Sequence, residues 1–253
     1  MKFQITGTTM QAVSIDLEPG EEIYSQTSMM AWMTDGLQMD TNTGGGLWAG
    51  LKRSFSGGGL FVTSFRADRG GNIAFASRFP GHIMAVTLRA GDSLLCRKES
   101  FLCAEKSVTL DVAWQKRLGA GFFAGEGFIL QRVSGPGTVW LELAGEVVSK
   151  TLAAGERLLV HAGHVGIQDP TVTTDIQMVG GFKNLLFGGE GIFLATLTGP
   201  GRIWLQTMPL MNLAEAIARY LPTAAGTGGA AAAGGAGGAV EGIMKIASFF
   251  DDK

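Results

Sequence analysis

The chain has 253 residues, with 20 basic and 22 acidic side chains and a formal charge of −2. That length supports a substantial core without disulfides or metals, and the balance of charge excludes both a global positive field for nucleic acid and an acidic cation store. Cys96 and Cys103, the only cysteines, stand seven apart, outside redox or zinc spacing and too few for a disulfide framework; two reduced thiols in a cytoplasmic protein are expected.

In chain order, MKFQITGTTMQAVSIDL lacks the continuous apolar run of a secretory signal and reads as a strand. No window reaches the ~20 unbroken apolar residues of a bilayer-crossing helix. TNTGGGLWAGLKRSF, residues 41 to 55, reads as a glycine hinge into a short helix. Then an element begins that recurs: SGGGLFVTSFRADRGGNIAFAS from Ser56, AGEGFILQRVSGPGTVWLEL from Ala124 and GGEGIFLATLTGPGRIWLQT from Gly188, the last two matching at an offset of 64. Gly59, Gly127 and Gly191 correspond, as do Phe75, Trp140 and Trp204, with a turn three residues longer in the first copy.

A second element also occurs three times, in GTTMQAVSIDLEPGEEIYS, GHIMAVTLRAGDSLLCR and GEVVSKTLAAGERLLVH. Each has an alternating apolar run, then leucine (Leu17, Leu88, Leu152), two residues, glycine and an acid. Both elements are rich in β-branched and aromatic residues between turn residues, the pattern of strands. Pro136 and Pro200, each followed by glycine, suit the second and third positions of type II turns.

The fold expected is all-β: three internally repeated β-sandwich or short β-roll units about a pseudo-threefold axis, with short peripheral and C-terminal helices. Closure is expected by pairing residues 1 to 31 with the last copy near 185 to 207, which removes two free sheet edges. MPLMNLAEAIARYLP predicts a helix capped by Asn212, with Leu213, Ile217 and Leu221 on the face that packs on the β body. Residues 1–221 thus form one three-repeat β domain, 222–239 a Gly/Ala-rich flexible linker and 240–253 a short C-terminal helix.

Glycine-rich stretches raise the question of phosphate binding. A dinucleotide fingerprint sets three glycines between a strand and a helix, whose N-terminus supplies the field. Gly125 and Gly127 lead instead into a strand-like run, with Leu130 where the third glycine belongs. Gly45 and Gly50 have the separation of a nucleoside-triphosphate loop, but Leu51 parts Gly50 from Lys52. These glycines read as backbone-shaping.

His161, His164 and Asp169 are the one metal-like cluster. In the strand-like run ERLLVHAGHVGI a spacing of three sets the two rings on opposite faces. The other copies carry Gln26 and Arg97 at the first position and Met29 and Ser100 at the second, neither a repeated metal pattern. Polar strand-edge histidines are the reading, with a lone metal site the alternative. The serines lie in no nucleophile elbow, and His82 has no partner that marks a triad. Glu21/Glu22 and Asp251/Asp252 fall in a turn and a tail; Glu18, Asp92 and Glu156 mark repeat turns. No catalytic, cofactor-binding or metal residue is assigned, and no cofactor is expected. LWAGLKRSF and GIMKIASFF mix bulky apolar with basic residues, as membrane-surface segments do. Glu241, Asp251 and Asp252 offset Lys245 and Lys253, however, so packing on the body or a neighbouring subunit is the first expectation.

Together, GGEGIFLATLTGPGRIWLQTMPL followed by NLAEAIARYL, GGLWAGLKRSFSGGGLF and HVGI resemble the altered-inheritance-of-mitochondria (Aim-twenty-four-like) family over residues 1 to 221. The resemblance implies a fold like that of the tryptophan RNA-binding attenuation protein, a bacterial relative of a mitochondrial inner-membrane-associated protein, and no established enzymatic activity. RNA binding does not carry over, because no lysine and arginine set recurs with the repeat. The functional expectation is a non-enzymatic scaffold or interaction protein: a homo-oligomer, cytoplasmic, with protein partners and contact with a membrane surface. The alternative is a small-ligand or metal-binding β-roll, enzymatic or not.

Overall fold

Val13, Ile15 and Leu17 of β2 (Ala12–Leu17) are buried while Asp16 between them is exposed, and β6 (Val62–Ala67) does the same with Thr63, Phe65 and Ala67 against Arg66. A burial period of two buries one face only in an extended chain, so these segments must pair edge to edge and stack face to face. A computed structural model describes residues 1–26, 28–41, 62–116, 128–179 and 192–218, and their strands form four antiparallel sheets. The expected all-β class holds.

The first sheet has the order β1 (Lys2–Thr6), β2, β7 (Gly71–Ala76), β4 (Met30–Met33). The second runs β5 (Leu37–Asp40), β6, β3 (Glu22–Gln26), β10 (Phe101–Glu105), β13 (Gly137–Ala144), β8 (Gly81–Leu88). The third runs β11 (Thr109–Lys116), β12 (Phe128–Ser134), β9 (Ser93–Arg97), β16 (Val165–Gln168), β19 (Gly201–Gln206), β14 (Val147–Leu152). The fourth holds β15 (Arg157–His161), β18 (Ile192–Thr198) and β17 (Thr173–Val179) in the order β15, β18, β17.

Three cores lie between these sheets. The first gathers Val13, Ile15, Phe65 and Phe75 with Cys103 and Trp140; the second Cys96, Leu110, Val133 and Leu141 with Tyr24 and Ile167; the third Leu130, Val165, Ala195 and Leu197 with Leu95. The two six-stranded sheets therefore serve two cores each. From Thr138 to Ala144 every residue of β13 is buried, because one face meets the first core and the other the second. This is why TVWLELA is nearly continuous in apolar character where β2 alternates.

The expected closure of residues 1 to 31 onto 185 to 207 is overturned. β2 pairs with β7 and β3 with β6; β8 with β13 and β9 with β12; β14 with β19 and β15 with β18. Each second element takes the first element that follows it in the chain, the arrangement with the shorter loops to close. The registers also correct the alignment. Gly71, Gly137 and Gly201 lie opposite Leu17, Leu88 and Leu152, so Ala74 and not Phe75 occupies the position of Trp140 and Trp204. Arg66 to Gly71 spans two residues more than Ser134 to Gly137, not three.

The proline corners differ from type II. Gly137 and Gly201 already begin strands, leaving only Gly135-Pro136 and Gly199-Pro200 at the corners, each joined by a cis peptide bond that puts proline third in the turn. The positive φ expected after each proline is present, 132° at Gly137 and 144° at Gly201. The helix α1 (Leu210–Ala218) begins before Asn212, which is exposed inside its first turn and is not the cap. Hydrogen bonds from Thr207 and Met208 N–H to the Glu146 and Ala144 carbonyls hold the chain up to Pro209, and helix starts where that hold ends. Ile217 is 49% exposed, so the expected packing face is only partly covered. Leu221, the linker at 222–239, the helix at 240–253 and the hinge helix beyond residue 41 lie outside the described residues.

Candidate functional site

The repeated acids are spent on backbone. Glu21 Oε2 accepts from the Glu18 N–H at 2.8 Å, Asp92 Oδ2 from the Arg89 N–H at 3.0 Å and Glu156 Oε2 from the Ala153 N–H at 2.8 Å. These side chains close the turns whose glycines, Gly20, Gly91 and Gly155, hold φ of 87°, 90° and 78°. The structure thus corrects the first member of the set: Glu21 caps, and Glu18 supplies the donor. Glu22 pairs with Lys106 Nζ at 2.5 Å.

The histidines come closer than a strand allows. A 3-10 turn over Ala162–His164 interrupts the run and brings the His161 and His164 rings to 5.7 Å, at an interplanar angle of 76°. This overturns the opposite-face expectation, since the turn's three-residue period eclipses positions three apart. Burial lowers the His161 pKa from its usual 6.5, and the neighbouring His164 charge lowers it further. His164 Nδ1 donates to the Gln206 carbonyl at 2.7 Å. Asp169 does not join them: its oxygens accept from the Arg202 N–H, Nε and Nη2 at 2.8, 3.1 and 3.1 Å. Among the described residues no group of three or more His, Cys, Asp or Glu could hold a metal. His82 Nε2 meets Glu146 Oε2 at 3.0 Å. Burial pushes the Cys96 thiol up to about 12, with Glu99 adding to the rise, and Cys103 likewise well above its usual 9.0. Gly45, Gly50, Lys52, Gly125, Gly127, Glu241, Asp251 and Asp252 lie outside the described residues.

Two features answer to none of the sequence motifs. Glu142 is wholly buried and ion-paired with Arg78 Nη2 at 2.5 Å, and its carboxylate also accepts from Ser77 Oγ at 3.2 Å and the Arg78 N–H at 3.1 Å. Arg78 Nη2 also donates to the Glu99 carbonyl, tying the approach to β8 to the β9–β10 turn. The second feature is apolar. Trp32 on β4 is 55% exposed and Leu159 on β15 is 62% exposed. Each strand is the last of its sheet, bonded on one side to β7 or β18 and carrying no strand on the other among the described residues. β4 and Thr34 beyond it hold no charge or proline, the residues that usually blunt a sheet edge.

Antiparallel sandwiches that share their sheets, with acids closing turns and apolar side chains standing on open strand edges among the described residues, define the class: an all-β protein. The family model described as mitochondrial biogenesis AIM24 matches residues 3–208, and the chain belongs to that family. It is 30% identical over 219 residues to an uncharacterized protein of Streptococcus pyogenes serotype M6, an alignment covering 83% of this chain and 87% of the relative. It is also similar to an X-ray crystal structure of a Streptococcus pyogenes protein, with a TM-score of 0.71 and 26% identity, covering 87% of this chain and 99% of the other. Among the described residues no helix is long and apolar enough to cross a membrane.

Proposed function

We propose that this protein is a non-enzymatic scaffold that acts by associating with protein partners, further copies of itself among them, in the cytoplasm and in peripheral contact with a membrane. The observation that carries this reading is the pair of large apolar side chains, Trp32 and Leu159, held more than half exposed on strand edges that no described strand covers. Such edges favour strand addition, in which backbone hydrogen bonds give affinity and side-chain positions give selectivity. Nucleic acid lies outside the proposal, since the charge is nearly balanced.

One observation favours a second reading. The two adjacent imidazoles suit a metal or small ligand, and a His164 that donates through Nδ1 keeps Nε2 as an acceptor. Elemental analysis of protein purified without an affinity tag separates the two. Metal-free protein is expected; stoichiometric metal that disappears in His161→Ala overturns the scaffold reading in favour of the rival. The membrane contact is assigned to the segment after Leu221. Vesicle flotation of the full chain, compared with a chain ending there, is expected to show association only in the first, and equal flotation removes the tail from this account.

A further inference from the structure

The interior of the molecule shows twice how one β unit joins the next. At the first junction β3 pairs with β10, Ser25 opposite Cys103 and Tyr24 opposite Ala104. At the second, β9 pairs with β16, Cys96 opposite Ile167 and Leu95 opposite Gln168. The two joints share one register, and β10, β16 and β4 share a register shift against the strand behind them, between Phe101 and Cys103, Val165 and Ile167, and Met30 and Trp32.

Each joint also exchanges side chains between cores. Tyr24 reaches forward into the second core and Leu95 into the third, while Cys103 reaches back into the first and Ile167 into the second. All four are buried, at 1%, 7%, 0% and 1% exposure. By register, the third counterpart of Tyr24 and Leu95 is Leu159, because Leu158 to Val160 face Leu197 to Ala195 as Leu94 to Cys96 face Val133 to Gln131. The counterpart of Cys103 and Ile167 is Trp32, which faces Ala74 where the others face Trp140 and Trp204. These two residues have the apolar character of a joint and none of its burial.

We propose that copies of this chain associate head to tail, β15 of one copy adding antiparallel to β4 of the next, with Val160 opposite Trp32 and Leu159 opposite Met33. Leu159 then enters the first core of the receiving copy and Trp32 the third core of the donor, as their counterparts do inside the chain. The small Ala74 behind Trp32 reverses the pairing of small Cys103 with large Trp140 at the first joint. The occupant is a second copy because the edge on offer has the register and apolar pattern that this chain already pairs with. The inference rests on the scaffold reading and specifies its self-association.

The test uses full-length Met33→Cys and Leu159→Cys proteins, mixed and oxidised. The native thiols Cys96 and Cys103 are fully buried and do not compete. The mixture is expected to give a disulfide-linked dimer at several times the yield of either variant alone, and wild-type protein is expected to sediment as a dimer or larger. Leu159→Lys and Trp32→Lys, at exposed positions, are expected to leave the chain folded, with an unchanged far-UV circular dichroism spectrum, and to leave the protein monomeric with a melting temperature that no longer depends on protein concentration. Three results overturn the proposal: a wild-type monomer, no excess cross-link on mixing, or a chain carrying both cysteines that links only to itself. Any of these leaves the scaffold reading standing, whereas bound metal lost in His161→Ala removes that reading whatever the assembly.

Discussion

Removing Arg78 exposes a buried charge to an apolar environment. In Arg78→Ala the Glu142 carboxylate, whose side chain is 0% exposed, loses the Nη2 contact at 2.5 Å and the Nε hydrogen bond at 2.6 Å, and keeps Ser77 Oγ and the backbone N–H of residue 78. Breaking a fully buried pair by removing one partner costs about 3–5 kcal/mol. Arg78 is itself one-third exposed, and two donors remain, so we expect about 2–3 kcal/mol here. The chain supplies its own control, because Gln206 holds the equivalent place in the last copy, accepting from the Ala144 N–H at 3.0 Å and donating to the Gly163 carbonyl at 2.9 Å. Glu142→Gln removes the charge and keeps the acceptor, and Arg78→Ala should therefore cost less in the Glu142→Gln background than alone. Urea unfolding followed by tryptophan fluorescence measures both as a shift in midpoint at constant slope. Two equal shifts for Arg78→Ala in the two backgrounds would show that the carboxylate is not the source of the cost, and the reasoning would fail.

A Cβ on Gly135 runs into the carbonyls of Leu88 and Arg89, and one on Gly199 into that of Ala153, all backbone that cannot rotate away, so alanine at either is expected to cost about 3 kcal/mol or more in the same assay. Asp92→Ala and Glu156→Ala each leave a turn N–H without its side-chain acceptor and should cost about 1 kcal/mol, while alanine at Glu18 should cost less than at Glu21. Because the folded His161 pKa lies below its usual 6.5, the unfolded chain binds the extra proton first, and stability is lost as pH falls below about 6.5. His161→Gln should flatten that acid-side fall in melting temperature; an unchanged slope would assign it elsewhere. Cys96 and Cys103 should resist alkylation in native protein near neutral pH and react fully in urea, and fast labelling of the folded chain would contradict their burial.

Much of the fold was legible in local pattern. The alternation of Val13, Ile15 and Leu17 announces a strand with one buried face, and the Leu-x-x-Gly-acid signature announces a turn because positive φ and a short carboxylate are local requirements. Partnership was not local. The repeat could be closed in more than one way, and only the hydrogen-bonded registers decide that β2 takes β7 and not the last copy. The histidine pair was visible as a spacing, but its geometry depends on a 3-10 turn that the strand-like run around it concealed.

The sequence alone determines the strands of the two recurring elements and the positive-φ glycine of each Leu-x-x-Gly-acid turn, since these follow from side-chain period and backbone φ within a few residues. The tertiary structure decides which equivalent positions are buried. Tyr24, Leu95 and Leu159 occupy the same place in the repeat, and so do Trp32, Cys103 and Ile167, yet Leu159 and Trp32 alone face outward. Burial belongs to the neighbour a strand acquires, and β15 and β4 are the strands whose counterparts are all joined while no described strand lies on their own outer edges.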